Sequence, residues 1–156
     1  MGGIAKILVV DDDEGIRTIL KAILEDEGYI VETAENGQEA IAMSKTSFFN
    51  LALIDIRLPD MEGTNLLTAM NQTTPRMVKI IVTGYPKLDN AVDALNKGAD
   101  AYILKPFNVP NILGKIREHL KKQEEAEKYS EGKVTEFIET RAKIWVEERA
   151  STYKEG

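Results

Sequence analysis

Five side chains stand out for the chemistry they could do together: Asp11, Asp12, Asp55, Thr83 and Lys105. Carboxylates crowded into one place repel one another unless a cation or a proton offsets their charge. Oxygen donors with open positions suit a hard divalent ion, and Mg²⁺ keeps waters and takes phosphate oxygens in such a site. An aspartate there can act as a nucleophile toward phosphorus and form an aspartyl phosphate. Lys105 would neutralise the added charge as a point cation, and the Thr83 hydroxyl could donate a hydrogen bond to the phosphoryl group. Taken singly, each residue has an ordinary use. The Asp11-Asp12-Asp13-Glu14 run can cap a helix, Asp55 can start a turn, Thr83 can end a strand, and Lys105 can be a solvated surface lysine. Together they are set apart by position, because each closes a predicted strand.

Those strands are read from short apolar runs. Residues 6–10 (KILVV) and 51–54 (LALI) have the pattern of strands buried on both faces. Residues 29–34, 77–82 and 101–104 read as three more. Between them, apolar residues recur at helical spacing. Ile16, Ile19, Leu20, Ile23 and Leu24 form the first such set, stopped by Gly28. Ala40, Ile41 and Met43 lie within a helix over 37–47, and Leu66, Leu67 and Met70 face inward from one over 63–71. Pro86 opens a helix with Leu88, Ala91, Val92 and Leu95 on its inner face, and Gly98 closes it. Ile112, Leu113, Ile116 and Leu120 mark the last.

Five β–α units in alternation, through about Lys122, predict an α/β fold. It is a doubly wound, five-stranded parallel sheet with helices on both faces. All strand ends then lie on one edge, where open α/β sheets place ligands. The first strand brings Asp11 and Asp12, the third Asp55, the fourth Thr83 and the fifth Lys105.

Composition narrows the function classes. At 156 residues the chain holds one domain, residues 1–122, plus a small appendage, 123–156. With no cysteine there is no disulfide framework, thiol nucleophile or zinc-thiolate site. No apolar run reaches the length of a membrane span and no signal peptide is visible, so the expected compartment is the cytoplasm. A net charge of −6 weighs against nucleic acid as a direct partner. No glycine-rich phosphate loop follows the first strand, which disfavours a nucleotide- or flavin-binding enzyme.

Residues 121–133 (KKQEEAEKYSEGK) contain no aliphatic side chain larger than Ala, and read either as a solvated helix or as a hinge near 130–132. Val134, Phe137, Ile138, Ile144 and Trp145 then return at helical spacing, interrupted by Arg141. This amphipathic helical tail could pack on the domain, extend the fifth helix into a dimer contact, or dock on another protein.

The stretches ILVVDDDEGIR, LALIDIRLPDMEG, IIVTGY and GADAYILKPF, in that order and spacing, resemble the receiver domain of two-component response regulators, the CheY-like family. The resemblance runs from about Lys6 to Lys122 and implies the flavodoxin-like strand order 2-1-3-4-5. It implies that Asp55 is the phosphorylated aspartate. Asp11 and Asp12 match the acidic pair that holds Mg²⁺, with Asp12 the more direct ligand and the backbone carbonyl of Arg57 a third protein ligand. Thr83 and Lys105 match the phosphoryl-binding hydroxyl and lysine, and Tyr102 the aromatic that turns inward as the threonine moves. Gly84 matches a position kept small for phosphoryl access, and Lys105-Pro106 a cis peptide. Arg57 and Tyr85 would flank the phosphoryl group, where their bulk would restrict attacking water; the alternative is that both side chains simply point to solvent.

The function so implied is that of a phosphorelay response regulator, with no turnover on a separate substrate. It would take its phosphoryl group from a histidine kinase or phosphotransfer protein. It would then switch the face of the fourth helix, fifth strand and fifth helix toward an unidentified downstream protein, or toward a second copy through the fifth helix and tail. The alternative is a transcriptional regulator whose output lies in the tail or in a missing domain. The 34 residues after Lys122 are too few for a helix-turn-helix domain with its own core, and they are not basic. His119, among charges on the fifth helix, reads as a surface histidine.

Overall fold

The computed structural model describes residues 3–70, 73, 75–84 and 87–155. The elements alternate as predicted: β1 (Lys6–Val10), α1 (Glu14–Asp26), β2 (Ile30–Ala34), α2 (Gly37–Thr46), β3 (Leu51–Ile54), α3 (Gly63–Ala69), β4 (Val78–Thr83), α4 (Leu88–Asn96), β5 (Ala101–Leu104) and α5 (Val109–Glu155). The five strands form one sheet in the order β2-β1-β3-β4-β5, and every pairing is parallel.

Successive side chains of a strand point to opposite faces, so each buried strand feeds two cores. Ile7 and Val9 of β1 pack with Leu20 and Leu24 of α1 and Ile112 and Ile116 of α5. Leu8 and Val10 pack on the other face with Ala40 of α2, Leu66 and Leu67 of α3, and Ala94 of α4. Each fully buried Leu or Ile contributes about 1.5–3 kcal/mol, which is why the helices stay seated on both faces.

Local signals set the helix ends. The Asp13 side chain caps α1 by accepting from the Ile16 N–H at 3.1 Å. Gly28 and Gly98, at φ +95° and +96°, take the left-handed conformation that ends α1 and α4.

Three sequence expectations need correction. In α4, Val92 and Leu95 are exposed, and among the described side chains the buried one is Ala94. A small residue lets the helix approach the sheet closely, and that places the larger apolar side chains outside. Ile19 of α1 is likewise exposed despite lying in phase with its neighbours. Several boundaries also move: β2 starts at Ile30, β4 runs Val78–Thr83, and α3 ends at Ala69 with buried Met70 as its cap. Pro86, Tyr85 and Asn71 lie outside the described residues, as does the Leu88 side chain.

The chain divides into two compact units, Met1–Gln123 and Glu124–Gly156. Of the two readings for the charged stretch, the helical one holds, since residues 121–133 fall within α5. Taken by itself, the second unit is helical over residues 124–155 and exposes Val134, Phe137, Ile138, Ile144 and Trp145. The Arg149 guanidinium lies 4.8 Å from the Trp145 ring centroid. Among the described residues no helix is long and apolar enough to cross a membrane.

Candidate functional site

The carboxyl ends of β1, β3 and β5 converge. Asp11 and Asp55 each follow a strand directly and continue its ladder by one bond: Asp11 N–H donates to the Ala34 carbonyl at 3.1 Å, and Asp55 N–H to the Val10 carbonyl at 2.9 Å. Both side chains are buried, an arrangement that needs a compensating charge. Lys105, just beyond β5, supplies it. Its Nζ donates to Asp11 Oδ2 at 2.7 Å and to Asp55 Oδ2 at 3.1 Å. The other carboxylate oxygens accept backbone N–H groups, Asp11 Oδ1 from Asp13 at 2.9 Å and Asp55 Oδ1 from Arg57 at 3.2 Å.

The electrostatics follow from these contacts. Burial raises the Asp55 pKa above its usual value, against the lowering effect of the Arg57 N–H and the Lys105 ammonium. Burial also works against the charge on Lys105. Its hydrogen bonds and attraction to Asp11, then Asp55, outweigh that effect and hold its pKa above the ordinary lysine value.

In front of these groups opens a cavity of about 480 Å³, lined by Asp11, Asp12, Asp13, Asp55, Arg57, Gly84 and Lys105. Asp11, Asp12 and Asp55 each offer one carboxylate oxygen, and the three oxygens lie within 4.8 Å of one another. An all-oxygen donor set around an accessible space fits a hard divalent cation.

Six residues singled out in the sequence thus line one cavity: Asp11, Asp12, Asp55, Arg57, Gly84 and Lys105. Two others do not. Thr83 ends β4 fully buried, and Tyr102 is half-buried against the core under α2, α3 and α4, where burial raises its pKa. The Lys105-Pro106 peptide is cis. Tyr85 lies outside the described residues, and His119 is half-buried on α5, away from the cavity lining.

Two residues that fix the loop between Asp55 and α3 were not visible as such in the sequence. The first is Gly63, at the start of α3. A Cβ there would overlap the Asp55 carbonyl oxygen and stand 2.9 Å from both the Asp55 carbonyl carbon and the Ile56 Cα. Glycine therefore lets α3 start against the backbone that carries Asp55. The available signal was a glycine in a helix's first turn, where no turn or left-handed backbone calls for one. The second is Asp60, which accepts N–H bonds from Gly37 at 2.8 Å and Gln38 at 2.9 Å. Those bonds, Gly37 first, hold its pKa below the usual carboxylate value. No local sequence signal joins residues 23 positions apart.

The receiver unit matches proteins of known kind. The family model described as response regulator receiver domain matches residues 7–117. The crystal structure of a CheY-like response regulator receiver domain protein from Methanospirillum hungatei JF-1 is 52% identical, with a TM-score of 0.77, over 80% of this chain and 99% of that one. The beryllofluoride-activated NtrC4 receiver domain dimer is 38% identical, with a TM-score of 0.71, over 76% of this chain and 98% of that one. The transcriptional regulatory protein ZraR of Klebsiella oxytoca is 39% identical over 114 residues, which are 73% of this chain and 26% of that protein. The chain thus spans about a quarter of that regulator's length. Family model, fold and sheet edge agree, and the chain belongs to the response regulator receiver domain family of two-component signalling.

Proposed function

We propose that Asp55 accepts a phosphoryl group from a phosphohistidine donor and that the charge so added switches the receiver between two arrangements. The observation that carries this reading is the Asp11–Lys105–Asp55 triangle at the mouth of an open cavity. An Asp55 carboxylate oxygen attacks phosphorus, the O–P bond forms, and the donor's N–P bond breaks. The electron pair leaves with the imidazole, which takes up a proton. Asp11, Asp12 and Asp55, with the backbone carbonyl of Arg57, would hold Mg²⁺. Bound there, the ion offsets carboxylate charge and polarises the phosphoryl oxygens.

The aspartyl phosphate carries roughly −1.5 to −2 charges where the ionised carboxylate carried a single one, and it brings new acceptor oxygens. Lys105 already shares its ammonium between two carboxylates and re-aims toward the new charge. Thr83 is buried off the cavity, so its hydroxyl reaches the phosphoryl group only if the end of β4 moves. Tyr102 swings further inward as that space opens. The phosphate biases this equilibrium only as far as it contacts one arrangement better. Val92, Leu95 and Leu104, exposed on α4 and β5, give the output face its apolar surface. The protein works in the cytoplasm, with a histidine kinase or phosphotransfer protein upstream, and turns over no separate substrate.

Two forms of output are favoured by specific observations. The NtrC4 receiver is described as a dimer when activated, and the exposed stripe from Val134 to Trp145 supports self-association of this chain through α5. The second reading is control of transcription, which the name of the relative ZraR favours. Light scattering with and without Mg²⁺ plus beryllofluoride, beside an Asp55→Asn control, tests the switch. A mass increase that Asp55→Asn abolishes supports phosphorylation-driven dimerisation. Amide signals of residues 83 and 102 that shift with unchanged mass support a switch read by another protein. No response in either measurement refutes the reading.

A further inference from the structure

The loop between Asp55 and α3 is a small hairpin. Arg57 and Glu62 pair across it, Leu58 N–H donates to the Met61 carbonyl at 3.2 Å, and Gly63 N–H donates to the Ile56 carbonyl at 2.7 Å. Its base is fixed where Gly63 lies against the Asp55 backbone. Its tip, Pro59-Asp60-Met61, reaches the N-terminus of α2. There the two Asp60 carboxylate oxygens take the Gly37 and Gln38 N–H groups at 2.8 and 2.9 Å. These amides are among the unpaired donors of a helix's first turn, and a carboxylate is favoured at that end of the helix. The helix's own cap, Asn36, takes the Glu39 N–H at 2.8 Å, so the two caps divide the donors between them. A separate contact tightens the junction. A Cβ at Gly37 would overlap the Met61 side chain, so α2 presents bare backbone where the hairpin tip lands.

We infer that this clasp makes Asp60 a positioning residue for metal binding. Arg57, which lines the cavity, sits between the two fixed points of the hairpin, with its carbonyl in the segment between base and tip. Without the clasp the hairpin pivots on Gly63, and the Arg57 carbonyl loses its fixed aim. The first turn of α2, which contributes no residue to the cavity lining, thereby becomes part of the machinery that holds the ion. The inference rests on the proposed Mg²⁺ site. Partners that orient a ligand without touching the metal commonly cost about tenfold or more in metal affinity when removed.

The test is calorimetric titration of the full chain with Mg²⁺ alone, for wild type, Asp60→Ala and Asp60→Asn, with amide spectra of the metal-free proteins. The expected result is a Kd about tenfold weaker in Asp60→Ala. Asp60→Asn, which keeps one acceptor oxygen, should fall between, and keeps the test open if the alanine variant does not fold. The Gly37 and Gln38 amide signals should move in both variants before any metal is added. A purely structural role would lower the melting temperature and leave the Kd of the folded variants unchanged, and that outcome overturns the inference. Unmoved Gly37 and Gln38 signals overturn it as well. Wild-type protein that binds no Mg²⁺ defeats the metal reading itself, an outcome distinct from equal binding by wild type and variants.

Discussion

Gly63 and Gly84 border the same site for opposite reasons, and alanine at each separates them. Neither has a positive φ, since among the described residues only Gly28 and Gly98 do, so alanine can adopt both conformations. It would even gain about 0.4–1 kcal/mol by restricting the unfolded chain. At Gly63 the added methyl meets backbone: the Asp55 carbonyl oxygen, with the Asp55 carbonyl carbon and Ile56 Cα both at 2.9 Å. Backbone cannot swing aside like a side chain, so the cost falls toward the upper part of the 1–3 kcal/mol range for overpacking, about 3 kcal/mol. The net loss is about 2 kcal/mol. In a domain of this size that lowers Tm by about 6–10 °C. At Gly84 the methyl's nearest neighbour among the described residues is Lys105 Cβ at 3.9 Å, an ordinary contact, so stability should stay within about 0.5 kcal/mol. The methyl does enter the cavity in front of Asp55. It should slow phosphorylation by about tenfold or more, because small misplacements of reacting atoms carry costs of that order. Circular-dichroism melting gives the first quantity, and the rate of labelling by a small phosphoryl donor gives the second. Gly63→Ala melting within 2 °C of wild type would refute the close-approach argument (about 0.5 kcal/mol on the same scale). Gly84→Ala labelling at the wild-type rate would refute the role given to the cavity.

Three further outcomes follow from single groups. The folded-state pKa of Asp55 is raised, so the folded protein holds that proton to higher pH than the unfolded chain, and ionised Asp55 costs stability. Asp55→Asn should therefore be more stable than wild type at pH 7 without Mg²⁺, by a margin that shrinks as pH falls toward 3.8; urea melts giving a pH-independent difference would contradict this. Buried Lys79 donates to the Leu67 carbonyl at 2.7 Å, and burial, then the nearby Arg76, lowers its pKa. Its ammonium costs stability below that lowered pKa, and the cost is relieved as pH rises toward 10.5; wild type should gain on Lys79→Met between pH 7 and 10, and a flat difference would contradict it. Arg57 lines the cavity beside Asp55, so Arg57→Ala should admit water and shorten the phosphoryl half-life, and an unchanged half-life would remove the shielding role.

The sequence carried what depends on neighbours along the chain. Apolar runs placed β1, β3 and β5 at their observed bounds, and parallel alternation sent Asp11, Asp55 and Lys105 to one edge. It failed where the deciding contact is remote or where periodicity is ambiguous. Helical spacing marks an apolar stripe on α4 but not which residues the sheet has room for, and Ala94 displaced Val92 and Leu95 from the interior. Asp60 reads as a turn residue until α2 is brought to it, and Lys79 contradicts the apolar pattern of β4 until the Leu67 carbonyl is seen to receive it. The stretch 121–133 left helix and hinge open. Its Lys, Glu, Gln and Ala content has high helix propensity, and the helix continues through it.

The proposed chemistry makes Asp55 the phosphoryl acceptor, prepared by Lys105 and the acidic set. The most direct measurement is mass spectrometry of wild type, Asp55→Asn and Lys105→Met after incubation with acetyl phosphate and Mg²⁺, with borohydride trapping to mark the acyl phosphate. The expected result is one phosphoryl group on wild type, mapped to Asp55, absent from Asp55→Asn and strongly reduced in Lys105→Met and when Mg²⁺ is chelated. Phosphoryl transfer to another residue, or labelling of Asp55→Asn at the wild-type level, would contradict it.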